Sequence, residues 1–142
     1  MFTLDPILQR DTLVLGEFPL SLLLLMNDRN FPWFILVPRR AEISEIYQLT
    51  PDDQRQLIQE SSHLAQQLAA AFQADKMNIA AIGNVVRQLH VHHIARYRHD
   101  PLWPAPVWGK LDPVPYTKKE IAELREKILP SLALGFVSRP SL

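Results

Sequence analysis

The residues of this chain best suited to chemistry are three histidines within four positions: His90, His92 and His93. They lie in a β-branched, apolar segment, residues 84–96, which predicts a strand. Side chains alternate between the two faces of a strand, so Gln88, His90 and His92 share one face and His93 lies on the other, apolar face. Neighbours on one face stand roughly 6.6 Å apart, close enough for two of them to hold one phosphate-sized group.

This row of side chains suits attack on phosphorus. A histidine can act as the nucleophile when one ring nitrogen keeps its lone pair at neutral pH, which an unperturbed pKa of about 6.5 allows. An acceptor must hold the other ring nitrogen, so that the lone pair points at the substrate. A second histidine or an amide can bind the non-bridging oxygens as charge develops. The order predicts a donor in Gln88, a nucleophile in His90 and a second polar ring in His92.

Other interpretations of the histidines stay open on the residues alone. Two histidines at positions i and i+2 also occur on an ordinary polar sheet face. A zinc site is another alternative, but zinc needs three or four ligands, and the further donors in view are His99 and Asp100. His93 fits a structural role at the edge of the core. His63, in a helical segment, fits a surface or boundary position.

Composition limits the classes of protein and partner. The 142 residues favour one domain, 1–142. Lys plus Arg and Asp plus Glu both number 15, so no global field attracts nucleic acid or anionic lipid. The absence of cysteine excludes disulfides and thiolate zinc sites. The first residues lack signal-peptide features, and apolar runs such as residues 22–26 are far below the ~20 residues that span a bilayer. We expect a cytoplasmic protein with no nucleic-acid or membrane partner.

The elements that must position the histidines predict an α+β chain. Strands are expected at residues 12–15, 20–26, 34–37 and 77–82, besides the histidine segment, with an antiparallel hairpin between the second and third. Thr50 and Pro51 are typical of a helix start. The helix that follows reaches about residue 74, and spacings of three and four predict a buried stripe of Leu57, Ile58, Leu64, Leu68, Ala71 and Phe72.

The C-terminal third predicts a stiff loop and a second helix. Residues 97–116 are rich in proline, which excludes a helix or an inner strand there, and they carry several aromatic residues. A last helix is expected from Thr117 until Pro130 ends it. The pattern totals five strands with antiparallel neighbours, one long helix and a C-terminal helix.

Residues 88–94, Gln-Leu-His-Val-His-His-Ile, resemble the motif of the histidine triad (HIT) family, His-φ-His-φ-His-φ-φ, where φ is apolar. Gln88 stands in place of the first histidine, and His93 stands in place of an apolar residue. Residues 83–86, Gly-Asn-Val-Val, are similar to the family's Gly-Gln-Ser/Thr-Val lead-in, although Val85 lacks the hydroxyl. The resemblance runs from about residue 11 to about residue 109 and implies a HIT-like fold.

The resemblance implies a nucleotide hydrolase or nucleotidyl transferase that acts at the α-phosphorus of a nucleotide ester, phosphoramidate or dinucleoside polyphosphate. His90 aligns with the nucleophile that forms a covalent nucleotidyl-histidine, and His92 aligns with the third histidine, which orients and stabilises. Asn27 aligns with the end of the ribose-binding strand, and Asn84 is assigned to phosphate contact. Gln88 is left with its amide as a donor. A purine nucleotide as the small-molecule partner, no cofactor and a homodimer are also implied.

The departures from the motif keep a rival function open. Gln88 cannot carry a positive charge or shuttle a proton, and together with Val85 it favours a nucleotide-binding protein with little or no catalysis. A metal-dependent hydrolase is a third alternative. Trp108 falls in the region from which family members send an aromatic residue toward the partner subunit's site. The aromatic loop equally suits packing or a dimer contact.

Overall fold

A computed structural model of the chain describes residues 1–140 and consists of one antiparallel sheet with helices on its faces. Its elements, in order, are α1 (Pro6–Asp11), β1 (Thr12–Glu17), β2 (Ser21–Met26), β3 (Trp33–Pro38), a 3₁₀ turn (Ile46–Gln48), α2 (Pro51–Phe72), β4 (Lys76–Ala80), β5 (Val91–Arg96), α3 (Lys118–Ile128), a second 3₁₀ turn (Leu129–Ser131) and β6 (Val137–Ser138). The predicted α+β class is confirmed. No helix within residues 1–140 has both the length and the apolar character needed to cross a bilayer.

Within residues 1–140 the sheet has six strands in the order β4-β5-β3-β2-β1-β6, so the predicted number of five is wrong. The added strand, β6, is only two residues long and pairs with the end of β1. Gly16 makes this pairing possible, because a Cβ there would lie 2.3 Å from the carbonyl oxygen of Val137. β1 therefore continues through Gly16 to Glu17, beyond the predicted end at residue 15. The hairpin between β2 and β3 is antiparallel, as predicted.

Helix α2 begins as its sequence predicts, with the Thr50 hydroxyl accepting a hydrogen bond from the backbone N–H of Asp53 at 3.1 Å. Three members of the predicted stripe are buried: Leu57, Leu64 and Leu68. The prediction for Ile58 is wrong, because this side chain is 62% exposed. One residue after Leu57 is about 100° further round the helix, which turns Ile58 away from the sheet. The polar residues Glu60 and Ser61 complete the buried face instead.

The two faces of the sheet are covered by different parts of the chain. Helices α2 and α3 cover one face, and the buried residues packed there are Leu15, Leu23, Leu25, Phe34, Leu36, Leu64, Leu68, Leu124 and Ile128. Helix α1 and the loop 97–116 cover the other, and the buried residues there include Leu4, Leu8, Leu22, Leu24, Trp33, Ile35, Ile94 and Val107. As predicted, the proline-rich loop forms neither helix nor strand. The two histidines of β5, His92 and His93, are thus enclosed by these two layers.

The predicted strand over residues 84–96 is too long, because β5 comprises only Val91–Arg96. Its neighbour β4 ends at Ala80, which pairs with His92, so the residues before Val91 have no strand to pair with on that side. Residues 81–90 form an irregular connection. Gly83 permits it, because a Cβ there would lie 2.9 Å from the carbonyl oxygen of Val86. His90 consequently lies just before the strand rather than within it.

Candidate active site

His90 is held at one ring nitrogen and free at the other. Its Nδ1 lies 2.7 Å from the backbone carbonyl oxygen of Gln88. A carbonyl oxygen only accepts, so Nδ1–H donates and Nε2 of the neutral ring carries the lone pair. Nothing within residues 1–140 forms a hydrogen bond with that Nε2. Although the side chain is only 5% exposed, the ring has the orientation that a histidine nucleophile requires.

His90 lines a cavity of about 800 Å³. Residues 81–90 form one wall, and residues 44–47 with Gln54 form another. The volume falls within the range of small-molecule pockets, about 300–1,000 Å³. Asn84 and Arg87 on the first wall contribute an amide and a positive charge to the cavity that His90 also lines. The cavity therefore has room for a nucleotide-sized ligand and polar groups suited to an anion.

The ring of His92, on β5, lies next to the ring of His90, with 4.9 Å between the centroids. Trp33 donates its indole N–H to Nδ1 of His92 at 2.9 Å. Burial, together with smaller contributions from the nearby rings of His90 and His93, lowers the pKa of His92 to about 3. The ring of His92 is therefore neutral at physiological pH and carries its proton on Nε2.

His93 points to the opposite face of the sheet, toward α2, as the strand alternation predicts. Its Nε2 lies 2.7 Å from the hydroxyl oxygen of Ser61, and its Nδ1 donates to the carbonyl oxygen of Val91 at 3.0 Å. Burial lowers the pKa of His93 to about 4, although the bond to Val91 opposes the shift. Both ring nitrogens are satisfied inside the core, so His93 joins the sheet to α2 and is remote from the cavity.

Gln88 connects His90 to the N-terminal segment. Its side-chain oxygen accepts from the backbone N–H of Asp5 at 2.9 Å, and its side-chain nitrogen donates to the carbonyl oxygen of Thr3 at 2.8 Å. The amide that was predicted to face the substrate is thus bonded to residues 3–5, while the backbone carbonyl holds His90. Sequence reasoning missed the N-terminal segment, because no pattern links positions more than 80 residues apart.

Of the other two predicted binding residues, Asn84 lines the cavity and Asn27 does not. Asn84 is exposed and lines the cavity. Asn27 follows β2, and its side-chain oxygen accepts from the backbone N–H of Tyr116 at 2.9 Å. The lining of the cavity within the described chain includes Asn84 but not Asn27. Trp108 packs edge-on against Trp33 and His92 of its own chain, at 5.9 and 5.2 Å between centroids, rather than reaching outward.

The donors considered for zinc have other partners. Asp100 accepts two hydrogen bonds from the guanidinium of Arg96, at 2.8 and 3.0 Å. The ring of His99 stacks on Tyr97, with 5.1 Å between centroids. No group of three or more His, Cys, Asp or Glu side chains that could hold a metal ion occurs in the part of the chain that the structure describes. The histidine pair thus has no third ligand in view there.

A comparison with the profiles of known protein families identifies the family of this chain. The profile of the HIT domain matches residues 8–99. The chain belongs to the histidine triad (HIT) family. The match includes the whole motif of residues 88–94, so the substitution of Gln88 for the first histidine does not remove the chain from the family. A comparison with curated protein sequences gave no match.

Solved structures of HIT proteins are similar to this HIT chain over nearly its whole length. A histidine triad protein of Marinobacter aquaeolei VT8 is 52% identical, with a TM-score of 0.91, over 93% of this chain and 96% of that one. A HIT protein of Sinorhizobium meliloti 1021 is 48% identical, with a TM-score of 0.91, over 93% and 98%. A histidine triad protein of Bradyrhizobium japonicum is 41% identical, with a TM-score of 0.90, over 92% and 97%. The HIT-like fold predicted from the motif is thereby confirmed.

Proposed function

We propose that this HIT protein is a nucleotide hydrolase or nucleotidyl transferase. It acts at the α-phosphorus of a nucleotide ester, phosphoramidate or dinucleoside polyphosphate, with a purine nucleotide as the expected substrate. One observation carries the proposal. His90 lines a cavity of about 800 Å³, and its Nδ1 is held by the Gln88 carbonyl at 2.7 Å, which leaves the lone pair on Nε2, an atom with no hydrogen-bond partner within residues 1–140.

The proposed reaction has two steps at His90. In the first, the Nε2 lone pair attacks the α-phosphorus, a P–N bond forms, and the bond from phosphorus to the leaving group breaks. The imidazole becomes cationic, and the Gln88 carbonyl stabilises it by accepting from Nδ1–H. In the second, water or another acceptor attacks phosphorus and gives its proton to solvent, and the P–N bond breaks with its electron pair returning to Nε2, which releases the nucleotide and restores neutral His90. The reaction needs no cofactor.

Other groups in the site serve the phosphate. The neutral His92 ring has its proton on Nε2, where it can donate to a non-bridging oxygen of the α-phosphate. Arg87 on the cavity wall supplies a positive charge, and the exposed amide of Asn84 supplies a further donor. Asn27 is proposed to contact the ribose by its position after β2. Gln88 contributes its carbonyl to His90, and its amide reaches substrate only if it releases residues 3–5.

The decisive experiment is to trap the covalent intermediate. The protein is mixed with an adenosine phosphoramidate or a diadenosine polyphosphate, denatured within the first turnover at alkaline pH, and analysed by intact-mass spectrometry. We expect one added nucleoside monophosphate per chain, and a peptide map that places it on His90. The variant His90→Ala should carry no adduct and should lose turnover by roughly 10³-fold or more.

A matched histidine variant controls for the chemistry. His99 is exposed and stacks on Tyr97 away from the cavity, so His99→Ala should form the adduct at the rate of the unaltered protein. Unchanged turnover in His90→Ala would refute the assignment of the nucleophile. An adduct on His92 in place of His90 would refute it as well.

A second candidate function is a nucleotide-binding protein with little or no catalysis. Two features of Gln88 favour it. Glutamine is neither charged nor titratable, and both ends of its amide are already bonded to Thr3 and Asp5, so the first motif position offers the substrate no such group. Calorimetric titration with adenosine monophosphate, next to turnover assays on both substrate classes, separates the two functions. Binding without an adduct on any substrate would favour the binding protein.

We also propose that the protein is a cytoplasmic homodimer. The edge of strand β4, which pairs with no other strand within residues 1–140, supports the homodimer, because an open edge strand pairs readily with another chain. The exposed side chain of Ile79 on β4 adds apolar surface to that edge.

A further inference from the structure

The hydrogen bond between Trp33 and His92 follows from the register of two strands. Trp33 opens β3 and lies opposite Ile94 of β5, while His92 precedes Ile94 by two residues on the same face. Side chains in this diagonal relation are within reach of each other when one of them is aromatic. The indole Nε1 comes to 2.9 Å from Nδ1 of His92, and the two rings are 5.7 Å apart between centroids.

This bond permits one protonation state of His92. An indole N–H is only a donor, so Nδ1 of His92 must accept and cannot carry a proton. Both side chains are buried, and burial opposes the charged form of the ring. The alternative neutral form, with the proton on Nδ1, would direct two N–H groups at each other where water cannot separate them. The remaining proton of His92 therefore lies on Nε2.

We infer that Trp33 is a positioning residue that fixes His92 as the Nε2–H tautomer, so that His92 can act only as a hydrogen-bond donor toward a phosphate oxygen beside His90. This inference rests on the proposed function for the identity of the phosphate. A ring that exchanged freely between tautomers would present the Nε2 lone pair to the anion part of the time, and two lone pairs repel. Trp33 removes that unproductive state before the substrate arrives.

Trp108 provides a matched control, because its indole also meets the His92 ring. Its ring centroid lies 5.2 Å from that of His92, in an edge-to-face arrangement. The Nε1 of Trp108 is buried and donates to no acceptor within residues 1–140. Trp108→Phe thus removes a neighbouring indole without removing a hydrogen bond to His92. Trp33→Phe removes both an indole and the hydrogen bond to His92.

The test is the tautomer of His92 in solution, read from long-range ¹H–¹⁵N correlation spectra of the imidazole nitrogens. We expect the unaltered protein to show His92 with its proton on Nε2. In Trp33→Phe the Nδ1–H form should become populated, and in Trp108→Phe the Nε2–H form should persist. An unchanged Nε2–H tautomer in a folded Trp33→Phe variant overturns the inference. The unaltered protein tests it even when Trp33→Phe does not fold, because an Nδ1–H form of His92 there overturns it too.

A kinetic measurement links the tautomer to the reaction. Loss of a single donor to a developing oxyanion costs about 10²–10³-fold in rate, and a mixed tautomer population loses only part of that. We expect adduct formation on His90 to slow by roughly tenfold in Trp33→Phe, with a much smaller change in nucleotide affinity. If Trp33 holds His92 as the Nε2–H tautomer but the protein forms no adduct with any substrate, the tautomer assignment is supported and the proposed function is overturned. Adduct formation at the normal rate in Trp33→Phe overturns the positioning role.

Discussion

Gln88 and Asp5, which are 83 positions apart in the chain, are joined by a hydrogen bond of 2.9 Å from the Asp5 backbone N–H to the Gln88 side-chain oxygen. The nitrogen of the same amide donates to the carbonyl oxygen of Thr3. Two positions further along the chain, the ring of His90 donates to the Gln88 backbone carbonyl. One residue thus connects the N-terminal segment to the orientation of the candidate nucleophile.

Gln88→Ala should loosen the N-terminal segment and slow the proposed chemistry. The substitution removes both bonds to residues 3–5 but keeps the backbone carbonyl that His90 needs, so the expected loss of adduct-forming rate is modest, about tenfold. Hydrogen exchange should become faster in residues 3–8. Gln66→Ala, on an exposed position of α2, is the control and should change neither measurement. Unchanged exchange in residues 3–8 of Gln88→Ala would contradict the connection.

Glu60→Gln should destabilise the fold, although the two side chains have the same shape. The buried carboxylate accepts from the backbone N–H groups of Leu20 and Ser21 at 2.8 and 3.1 Å and from the Gln56 side chain at 2.8 Å. An amide nitrogen would face one of these donors, so the free energy of unfolding should fall by about 1–3 kcal/mol in urea titrations. Glu126→Gln, exposed on α3, should stay within about 0.5 kcal/mol of the unaltered protein. A loss of unfolding free energy in Glu60→Gln no larger than in this control would show that the hydrogen bonds of the Glu60 carboxylate do not stabilise the fold.

The buried histidines should make the protein less stable in mild acid. The pKa of His93 is about 4 in the folded state, whereas an unfolded histidine titrates near 6.5. Below pH 6.5 the unfolded chain therefore binds a proton that the folded chain does not, and the free energy of unfolding falls with pH. At 1.36 kcal/mol per pKa unit, His93 alone accounts for roughly 3 kcal/mol between pH 6.5 and 4.

The double variant His93→Leu with Ser61→Ala tests this assignment. It removes the titrating ring together with the Ser61 hydroxyl that binds its Nε2, so the change leaves no hydroxyl unpaired, although the Val91 carbonyl loses a hydrogen bond from His93. Urea titrations at several pH values should give a dependence of unfolding free energy on pH that is shallower by one proton. His99→Ala, at an exposed position, should keep the original slope. An identical slope in the double variant would mean that His93 is not the group responsible.

Local patterns explain which parts of the fold and the site could be predicted. The Thr50 cap and the apolar strands β2 and β3 depend on neighbours in the sequence, and the structure has them near the predicted positions. The adjacency of His90 and His92 follows from spacing in the same way. In contrast, β6 is two residues long and has no periodicity, so only its pairing with β1 reveals it.

The missed features of the site depend on partners distant in sequence. Trp33 and His92 are 59 positions apart, and their bond depends on the register between β3 and β5. The attachment of Gln88 to residues 3–5 depends on where α1 packs, which no motif encodes. The length of β5 was overestimated for a related reason, because the end of β4 at Ala80 sets it. The residue types of segment 84–96 alone favour a strand over its whole length.

A final prediction concerns the proposed dimer and the open edge of the sheet. Light scattering should give a mass near twice the 16.3 kDa of one chain. Ile79 is half exposed on the edge strand β4, and Ile79→Lys should produce a monomer, because a charge on an edge strand opposes pairing with another chain. Val137→Lys places the same charge on an exposed position of β6 at the opposite edge and should leave the dimer intact. A mass near 16.3 kDa for the unaltered protein would refute the dimer, and dissociation by Val137→Lys alone would move the interface to the other edge.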